Sequence, residues 1–127
     1  MKINKIIIAE PSPIISSGLL KYLEDINQIN IVSIVDNIDD LKDKMIIHNP
    51  DMLIINPLVL GYSNHSLIKQ FIQNNPSTYF IALISTYIDK SFLKYFKEII
   101  ELNETKQKVV NKVINLINNT DETASQN

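Results

Sequence analysis

The chain has 127 residues, of which 45% are hydrophobic, so its length and composition fit one domain with a sizeable core. Its 12 Lys residues stand against 14 Asp and Glu residues, no Arg is present, and the formal net charge is -2. This balance predicts that the domain by itself does not bind nucleic acid, whose phosphates attract strongly basic surfaces. The lack of Cys excludes disulfides, thiolate metal sites and a Cys nucleophile.

The remaining composition points away from metal, cofactor and membrane. The only two His residues, His48 and His65, lie far apart in the sequence, which argues against a His-based metal site or catalytic triad. No apolar stretch approaches the ~20 residues of a membrane span. The start of the chain does not have the pattern of a signal peptide. We therefore expect a cytoplasmic protein that uses no metal ion, no cofactor and no membrane.

The first predicted elements are a strand and a helix. Residues 6–9 form an apolar run rich in β-branched side chains, which predicts a strand. Pro11 and Pro13 end it, and Ser12 followed by Pro13 predicts the N-cap and first position of a helix that ends near Glu24. The residues expected on the buried face of this helix are Ile14, Ile15, Leu19, Leu20 and Leu23.

The middle of the chain repeats this alternation. Residues 29–35 predict a second strand, residues 39–47 a second helix, and residues 52–55 a third strand. Asn49 and Pro50 end the second helix. The residues expected to face inward from the second helix are Leu41, Met45 and Ile46. The residues that recur at helical spacing after the third strand are Leu67, Ile68, Phe71 and Ile72.

The last third predicts two more strands and two more helices. Residues 79–84 read as a fourth strand, and residues 89–97 as a helix. Ile99 and Ile100 could form a short fifth strand, and residues 105–118 form the last predicted helix. We expect residues 1–118 to form the domain. Residues 119–127 are polar and predict a disordered tail or the start of a linker.

Five alternating strands and helices predict an α/β fold. Strands that are apolar on both faces imply a parallel sheet with helices on each side. The best fit is a flavodoxin-like (βα)5 doubly wound sheet with strand order 2-1-3-4-5. In such sheets, ligands gather beyond the carboxyl ends of the strands, at the point where the order reverses. This places Glu10, Pro11 and Asn56 around one crevice, with Ser85 at the end of the neighbouring strand.

Several segments resemble the receiver domains of two-component response regulators. Residues 6–19 are similar to the receiver opening found in LuxR/NarL-type transcriptional regulators, including the spacing of Pro13 and Gly18. Residues 50–56 resemble the strand that leads to the phosphorylated Asp, and Gly61 falls where the family's Met-Pro-Gly turn ends. Residues 81–85 resemble the strand that ends in the switch Ser or Thr. The resemblance covers about residues 3–118.

The resemblance implies specific losses in the phosphorylation site. The acidic pair that holds Mg²⁺ in the family falls at Glu10 and Pro11, and the phosphoacceptor falls at Asn56. An acyl phosphate needs a carboxylate nucleophile, which an amide does not supply. The family's conserved Lys falls near Glu101 or Leu102, and neither is basic. Only the switch position, Ser85, keeps its family type, so we expect a degenerate site without a metal ion.

Alternative roles remain open for these residues. Glu10 could be a leftover metal ligand, but a solvated acid near a helix N-terminus is the favoured interpretation. Asn56 could be a relic, but we expect an amide that hydrogen-bonds to Ser85 or to a loop backbone. Ser85 itself is expected to be a strand-ending hydroxyl, and His65 to be exposed. The aromatic residues that could equally form core packing or a partner interface are Tyr87, Phe92, Tyr95 and Phe96.

The sequence therefore predicts a pseudo-receiver rather than an enzyme. We expect a phosphorylation-independent regulatory and protein-interaction module. Its most natural place is the amino-terminal domain of a DNA-binding transcriptional regulator that dimerises and touches DNA only through another domain. A stand-alone adaptor that binds a kinase or another protein is the alternative. A small-molecule binder is less favoured, because Gly18 and Gly61 are the only Gly residues and cannot form a Gly-rich phosphate loop.

Overall fold

The structure is a computed structural model that describes residues 2–61, 65–84 and 90–126, with the backbone alone for Lys90 and residues 120–126. Five parallel strands form one sheet in the order 2-1-3-4-5. This confirms the predicted flavodoxin-like fold. The strands are β1 (Asn4–Ala9), β2 (Ile29–Val35), β3 (Met52–Ile55), β4 (Tyr79–Ile84) and β5 (Glu98–Glu101).

Helices connect the strands. They are α1 (Pro13–Leu23), α2 (Ile38–His48), α3 (His65–Gln73) and α4 (Lys106–Gln126), with 3₁₀ helices at Pro57–Leu60 and Lys90–Tyr95. The α-helix predicted over residues 89–97 is therefore a short 3₁₀ helix, which buries the neighbouring side chains of Phe92 and Leu93. The predicted end of the last helix at residue 118 is also wrong. No Pro or Gly follows to stop the helix, which continues to Gln126.

The start of α1 agrees with its sequence signals. Ser12 is the N-cap, and its Oγ accepts a hydrogen bond from the Ile15 N–H at 3.4 Å. Pro13 occupies the first helical turn, where its missing N–H costs no intrahelical hydrogen bond. These two residues fix the direction in which the chain leaves β1.

The sheet carries a core on each face. Alternate residues of the central strands point to opposite sides, as the pleat requires. Ile7 and Leu53 face a cluster that includes side chains of α2, α3 and the second 3₁₀ helix. Ile8 and Ile54 face a second cluster with side chains of α1 and α4. Both faces of the parallel sheet are therefore covered, as predicted.

Three apolar side chains that were predicted to face inward are exposed instead. They are Ile14 and Leu20 on α1 and Ile46 on α2. On α1 the buried positions are Ser16, Leu19 and Leu23, whose three- and four-residue spacing defines a single narrow stripe. The helix has more apolar residues than this stripe can bury. Among the described residues, no helix has the length and apolar character needed to cross a membrane.

Candidate functional site

The candidate site lies at the carboxyl ends of β1 and β3. Glu10 directly follows β1 and Asn56 directly follows β3. The register pairs Ala9 with Ile55, the last residues of the two strands. The Asn56 N–H extends this pairing by donating to the Ala9 carbonyl at 2.9 Å. The strand order thus brings Glu10 and Asn56 together, as expected from the sequence.

The two side chains are joined by a buried hydrogen bond. Asn56 Nδ2 donates to Glu10 Oε1 at 2.9 Å, and the residues are only 4% and 3% exposed. The other carboxylate oxygen, Glu10 Oε2, accepts the Ser12 N–H at 2.7 Å. Asn56 Oδ1 accepts the Leu58 N–H at 3.0 Å. A single network therefore connects the loop after β1 to the loop after β3.

This network corrects one expectation and supports another. Glu10 is not a solvated acid, because it lies buried between two donors that a carboxylate can satisfy at once. Asn56 bonds to a loop backbone, as predicted. The second predicted partner, Ser85, lies outside the described residues. The Leu58 N–H belongs to the 3₁₀ helix at Pro57–Leu60. Gly61 ends this helix and has a left-handed backbone conformation, with φ 73°.

An amide at position 56 changes the electrostatics of the site. A carboxylate there would place two negative charges about 3 Å apart in a buried position, where one of them could not stay ionised without a cation. The Asn56 amide instead offers an N–H donor to Glu10. The amide thus replaces a repulsive contact with a hydrogen bond, so the contact between positions 10 and 56 needs no cation.

The residues present do not fit Mg²⁺. Magnesium prefers octahedral oxygen ligands that include one or two carboxylates. Both oxygens of Glu10 and the side-chain oxygen of Asn56 already accept hydrogen bonds, and Pro11 has no ligating side chain. Within residues 2–61, 65–84 and 90–126, no group of three or more His, Asp and Glu side chains could hold a metal ion.

The conserved Lys that the resemblance places near Glu101 or Leu102 has no basic counterpart on β5. Lys112 of α4 instead reaches the edge of this strand, where its Nζ donates to the Ile99 carbonyl and to Glu104 Oε1, both at 2.6 Å. β5 lies two strands away from β3 in the sheet. The hydrogen bond to Ile99 therefore fastens α4 to the edge strand of the sheet, away from Asn56. The sequence did not predict this contact of Lys112, because no motif indicates that a side chain on one helix will bind the strand before it.

The candidate interface aromatics have different surroundings. Phe92 is 0% exposed and belongs to the core beneath α2 and α3, so of its two predicted roles the structure supports core packing and not an interface. Tyr95 and Phe96 are partly buried against the same core and keep some surface for a partner. Tyr87 lies outside the described residues.

His65 was expected to be exposed, but it is half-buried at the start of α3. Its ring meets the rings of Phe92 and Tyr95 edge-on at centroid distances of 5.9 and 6.2 Å. Its Nε2 lies 3.1 Å from Ser91 Oγ. These contacts join α3 to the 3₁₀ helix, a role that no sequence pattern indicated.

Comparison with known proteins identifies the fold. No protein-family model matches the sequence, and neither does any curated protein. Solved structures do match. The signal receiver domain of the response regulator NarL from Mycobacterium tuberculosis superposes with a TM-score of 0.74 at 13% identity, covering 91% of this chain and 97% of that one.

Two structures of RcsB are also similar. The isolated receiver domain from Salmonella enterica serovar Typhimurium, determined with the phosphomimetic BeF3-, has a TM-score of 0.79 at 21% identity and covers 92% of this chain and 90% of that one. RcsB in a structure of two dimers bound to two parallel DNAs has a TM-score of 0.81 at 21% identity. Here the match covers 92% of this chain and 65% of that one. The chain therefore has the fold of response-regulator receiver domains.

Proposed function

We propose that this chain is a degenerate receiver domain that regulates through protein contacts and independently of phosphorylation. The observation that carries the proposal is the buried hydrogen bond between Asn56 Nδ2 and Glu10 Oε1. A neutral amide, itself hydrogen-bonded, therefore stands at the position where the receiver fold would present a free carboxylate. The domain is then held in one conformation without a phosphoryl group.

Two further features support independence from phosphate. Pro11 replaces an acidic residue beside Glu10, so the site has lost a metal ligand as well as its nucleophile. The end of β5 carries Glu101 and Leu102 in place of a Lys that could pair with a phosphoryl group. One such loss could be compensated. Three losses in one site remove the nucleophile, the metal and the cation that stabilises the product.

The most natural setting is the amino-terminal domain of a DNA-binding transcriptional regulator in the cytoplasm. RcsB, which shares the fold, forms dimers bound to DNA in a solved structure, and this chain spans 65% of that protein's length. The net charge of -2 and the lack of Arg argue against DNA contacts by the domain itself. Its contribution would be to pair two DNA-binding domains and so raise their effective concentration. No enzymatic activity belongs to this proposal.

The test uses Mg²⁺ with beryllofluoride, and the readout is the thermal unfolding midpoint of the full chain. We expect no change for the natural sequence, because a ligand that does not bind the folded state cannot stabilise it. The double variant Pro11→Asp/Asn56→Asp should gain stability from Mg²⁺, because two new carboxylates then lie beside Glu10. Asn103→Asp, which adds one carboxylate at an exposed loop position, is the control and should not respond.

Stabilisation of the natural sequence by Mg²⁺ and beryllofluoride would contradict the proposal. A well-folded double variant that ignores Mg²⁺ would show that positions 11 and 56 do not share a metal-accessible crevice. If the double variant does not fold, the single variant Asn56→Asp takes its place, and its thermal unfolding midpoint is compared with and without Mg²⁺.

A further inference from the structure

The sheet has two edge strands, and the outward backbone groups of one of them, β5, are bonded within the chain. The Ile99 N–H donates to Glu98 Oε1 at 2.9 Å, and the Ile99 carbonyl accepts Lys112 Nζ at 2.6 Å. The Glu101 N–H donates to Glu104 Oε1 at 3.3 Å, and the Glu101 carbonyl accepts the Glu104 N–H at 3.0 Å. These contacts take the hydrogen bonds that another strand would make, so β5 is a closed edge.

The other edge strand, β2, lacks such bonds. The Val35 carbonyl accepts the Glu10 N–H at 2.9 Å, so the backbone groups of Val35 point to β1. Because successive residues of a strand direct their backbone groups to opposite sides, the N–H and carbonyl of Ile34 point outward. Among residues 2–61, 65–84 and 90–126, no side chain bonds to the backbone of β2. This edge is therefore open to another strand.

The composition of β2 also leaves its edge unprotected. Its seven residues include no charged residue and no Pro, and only Val35 among them is buried. Edge strands that must stay unpaired are normally short, or carry Lys or Pro. A register shift leaves Val32 without a partner in β1, so β2 bends there, but no charge accompanies the bend. β2 therefore has the chemistry of a strand that pairs on both sides.

An acidic hollow of about 240 Å³ lies at the carboxyl end of this open edge. It is lined by Ile34, which is 43% exposed, and by the acidic residues Glu10, Asp36 and Asp40. Asp36 and Asp40 both accept hydrogen bonds from the neutral Asn37 side chain, at 2.8 and 2.9 Å. Neither forms an ion pair with a described residue. Two carboxylates without a countercharge therefore stand where an added strand would begin or end.

We propose that an extended segment of a partner protein binds along β2 as an antiparallel sixth strand and places a Lys or Arg side chain in the acidic hollow. Its backbone pairs with the outward groups of β2, and an apolar side chain covers Ile34. Antiparallel pairing is slightly more stable per residue than parallel pairing, and an antiparallel edge strand is common on doubly wound sheets. In such strand addition, the backbone supplies affinity and neighbouring pockets supply specificity.

The acidic hollow favours a basic partner over a second copy of this chain. In an antiparallel pair of β2 strands, the hollow of each chain would face the start of the other β2. Residues 26–30 there contain no basic side chain. The nearby Lys106 is already paired with Asp25, with Nζ and Oδ2 3.5 Å apart. A second copy would therefore leave the carboxylates of the hollow without a countercharge.

This inference rests on the proposed function, because it names the kind of partner for a module that acts through protein contacts. The hollow also connects the open edge to the candidate site. Glu10 lines the hollow and accepts the hydrogen bond from Asn56 Nδ2. A partner seated on β2 would thus contact the loop that this hydrogen bond holds in place.

The test uses a fluorescent peptide in which Thr and Val alternate and one Lys lies near the amino end. Antiparallel pairing places that end at the carboxyl end of β2. Anisotropy with the full chain should show saturable binding. Ile34→Pro removes the outward N–H at a position where edge strands tolerate Pro, and should weaken binding by about tenfold. Ile34→Ala keeps the N–H and should cost no more than about threefold. If Ile34→Pro does not fold, the same peptide with N-methyl groups on the amides that face β2 takes its place and should not bind.

A charge exchange tests the hollow. Asp36→Asn/Asp40→Asn should weaken binding of the Lys peptide by about two- to fivefold, the range of an exposed ion pair. Binding of a matched peptide with Gln in place of Lys should not change. Asp39→Asn, which alters an exposed carboxylate outside the hollow, is the control and should affect neither peptide. Equal losses for the two peptides would contradict the assignment of the basic side chain to the hollow.

Amide hydrogen exchange of the full chain provides the second measurement. Without peptide, the Ile34 N–H should exchange faster than the Ile99 N–H, and saturating peptide should slow exchange at Ile34 alone of the two. The proposal is overturned by a peptide that does not bind at millimolar concentration, or by equal affinity of the natural chain and Ile34→Pro. Protection of Ile34 that grows with the concentration of the chain alone would make a second copy the occupant and would also overturn it.

These outcomes are separable from the phosphorylation test. A chain that ignores beryllofluoride and does not bind the peptide removes only the open edge as a partner site. A chain that binds the peptide and is stabilised by beryllofluoride removes only the independence from phosphate.

Discussion

Replacing Phe92 with Ala is expected to lower the free energy of unfolding by about 3–5 kcal/mol, the usual cost of removing a fully buried aromatic ring. Phe92 is 0% exposed and shares its core cluster with Ile68 and Phe80. The His65 ring, 5.9 Å away, would lose its edge-on neighbour. Urea denaturation followed by circular dichroism measures the loss.

Ile46→Ala is the control for this experiment. It removes an exposed apolar side chain and should change the unfolding free energy by no more than about 0.5 kcal/mol. If Phe92→Ala proves too unstable to measure, Phe92→Leu takes its place. Leu keeps most of the buried volume, so its loss of unfolding free energy should lie between those expected for Phe92→Ala and Ile46→Ala. An Ala variant at position 92 with natural stability would mean that this ring is not a core residue and belongs to a partner surface.

Replacing Glu10 with Gln is expected to lower the free energy of unfolding by about 2–3 kcal/mol, because a buried donor is left unpaired and a hydrogen bond to a charged acceptor is lost. The carboxylate accepts from both the Ser12 N–H and Asn56 Nδ2. Gln has one acceptor oxygen, so its own NH₂ must point at one of these donors. Chemical denaturation is the measurement, and Glu24→Gln, on the exposed residue that follows α1, is the control.

A second substitution makes this prediction specific to the network. In the double variant Glu10→Gln/Asn56→Asp, the Gln oxygen can accept the Ser12 N–H, and its NH₂ can donate to the new carboxylate at position 56. That carboxylate can still accept the Leu58 N–H. We therefore expect the double variant to recover most of the lost stability, giving a strongly non-additive mutant cycle. Losses that simply add would show that Glu10 and Asn56 are not partners.

The sheet and the adjacency of the site residues follow from sequence pattern. Alternating apolar strands and helices define a doubly wound sheet, and in that order the ends of β1 and β3 are neighbours. Ser12 and Pro13 predicted the start of α1 correctly, because N-capping and the fixed backbone angle of Pro depend on local geometry and need no tertiary contact. These are properties of short segments and of topology.

What the sequence could not predict depends on partners far along the chain. Glu10 is buried because an amide 46 residues away donates to it, and a lone Glu before a helix carries no sign of that partner. Phe92 is a core residue because β4 and α3 leave space for it, while its spacing fits a surface helix equally well. Ile14 is 86% exposed on α1, although its apolar side chain and helical spacing predicted a buried position.

The central claim is that this receiver fold works without phosphorylation. Its most direct test is the intact mass of the full chain after incubation with acetyl phosphate and Mg²⁺, with the Pro11→Asp/Asn56→Asp variant treated in parallel. The account predicts an unchanged mass for the natural sequence, because Asn56 offers no carboxylate to form an acyl phosphate. A stoichiometric gain of one phosphoryl group at neutral pH, removable by hydroxylamine, would contradict it.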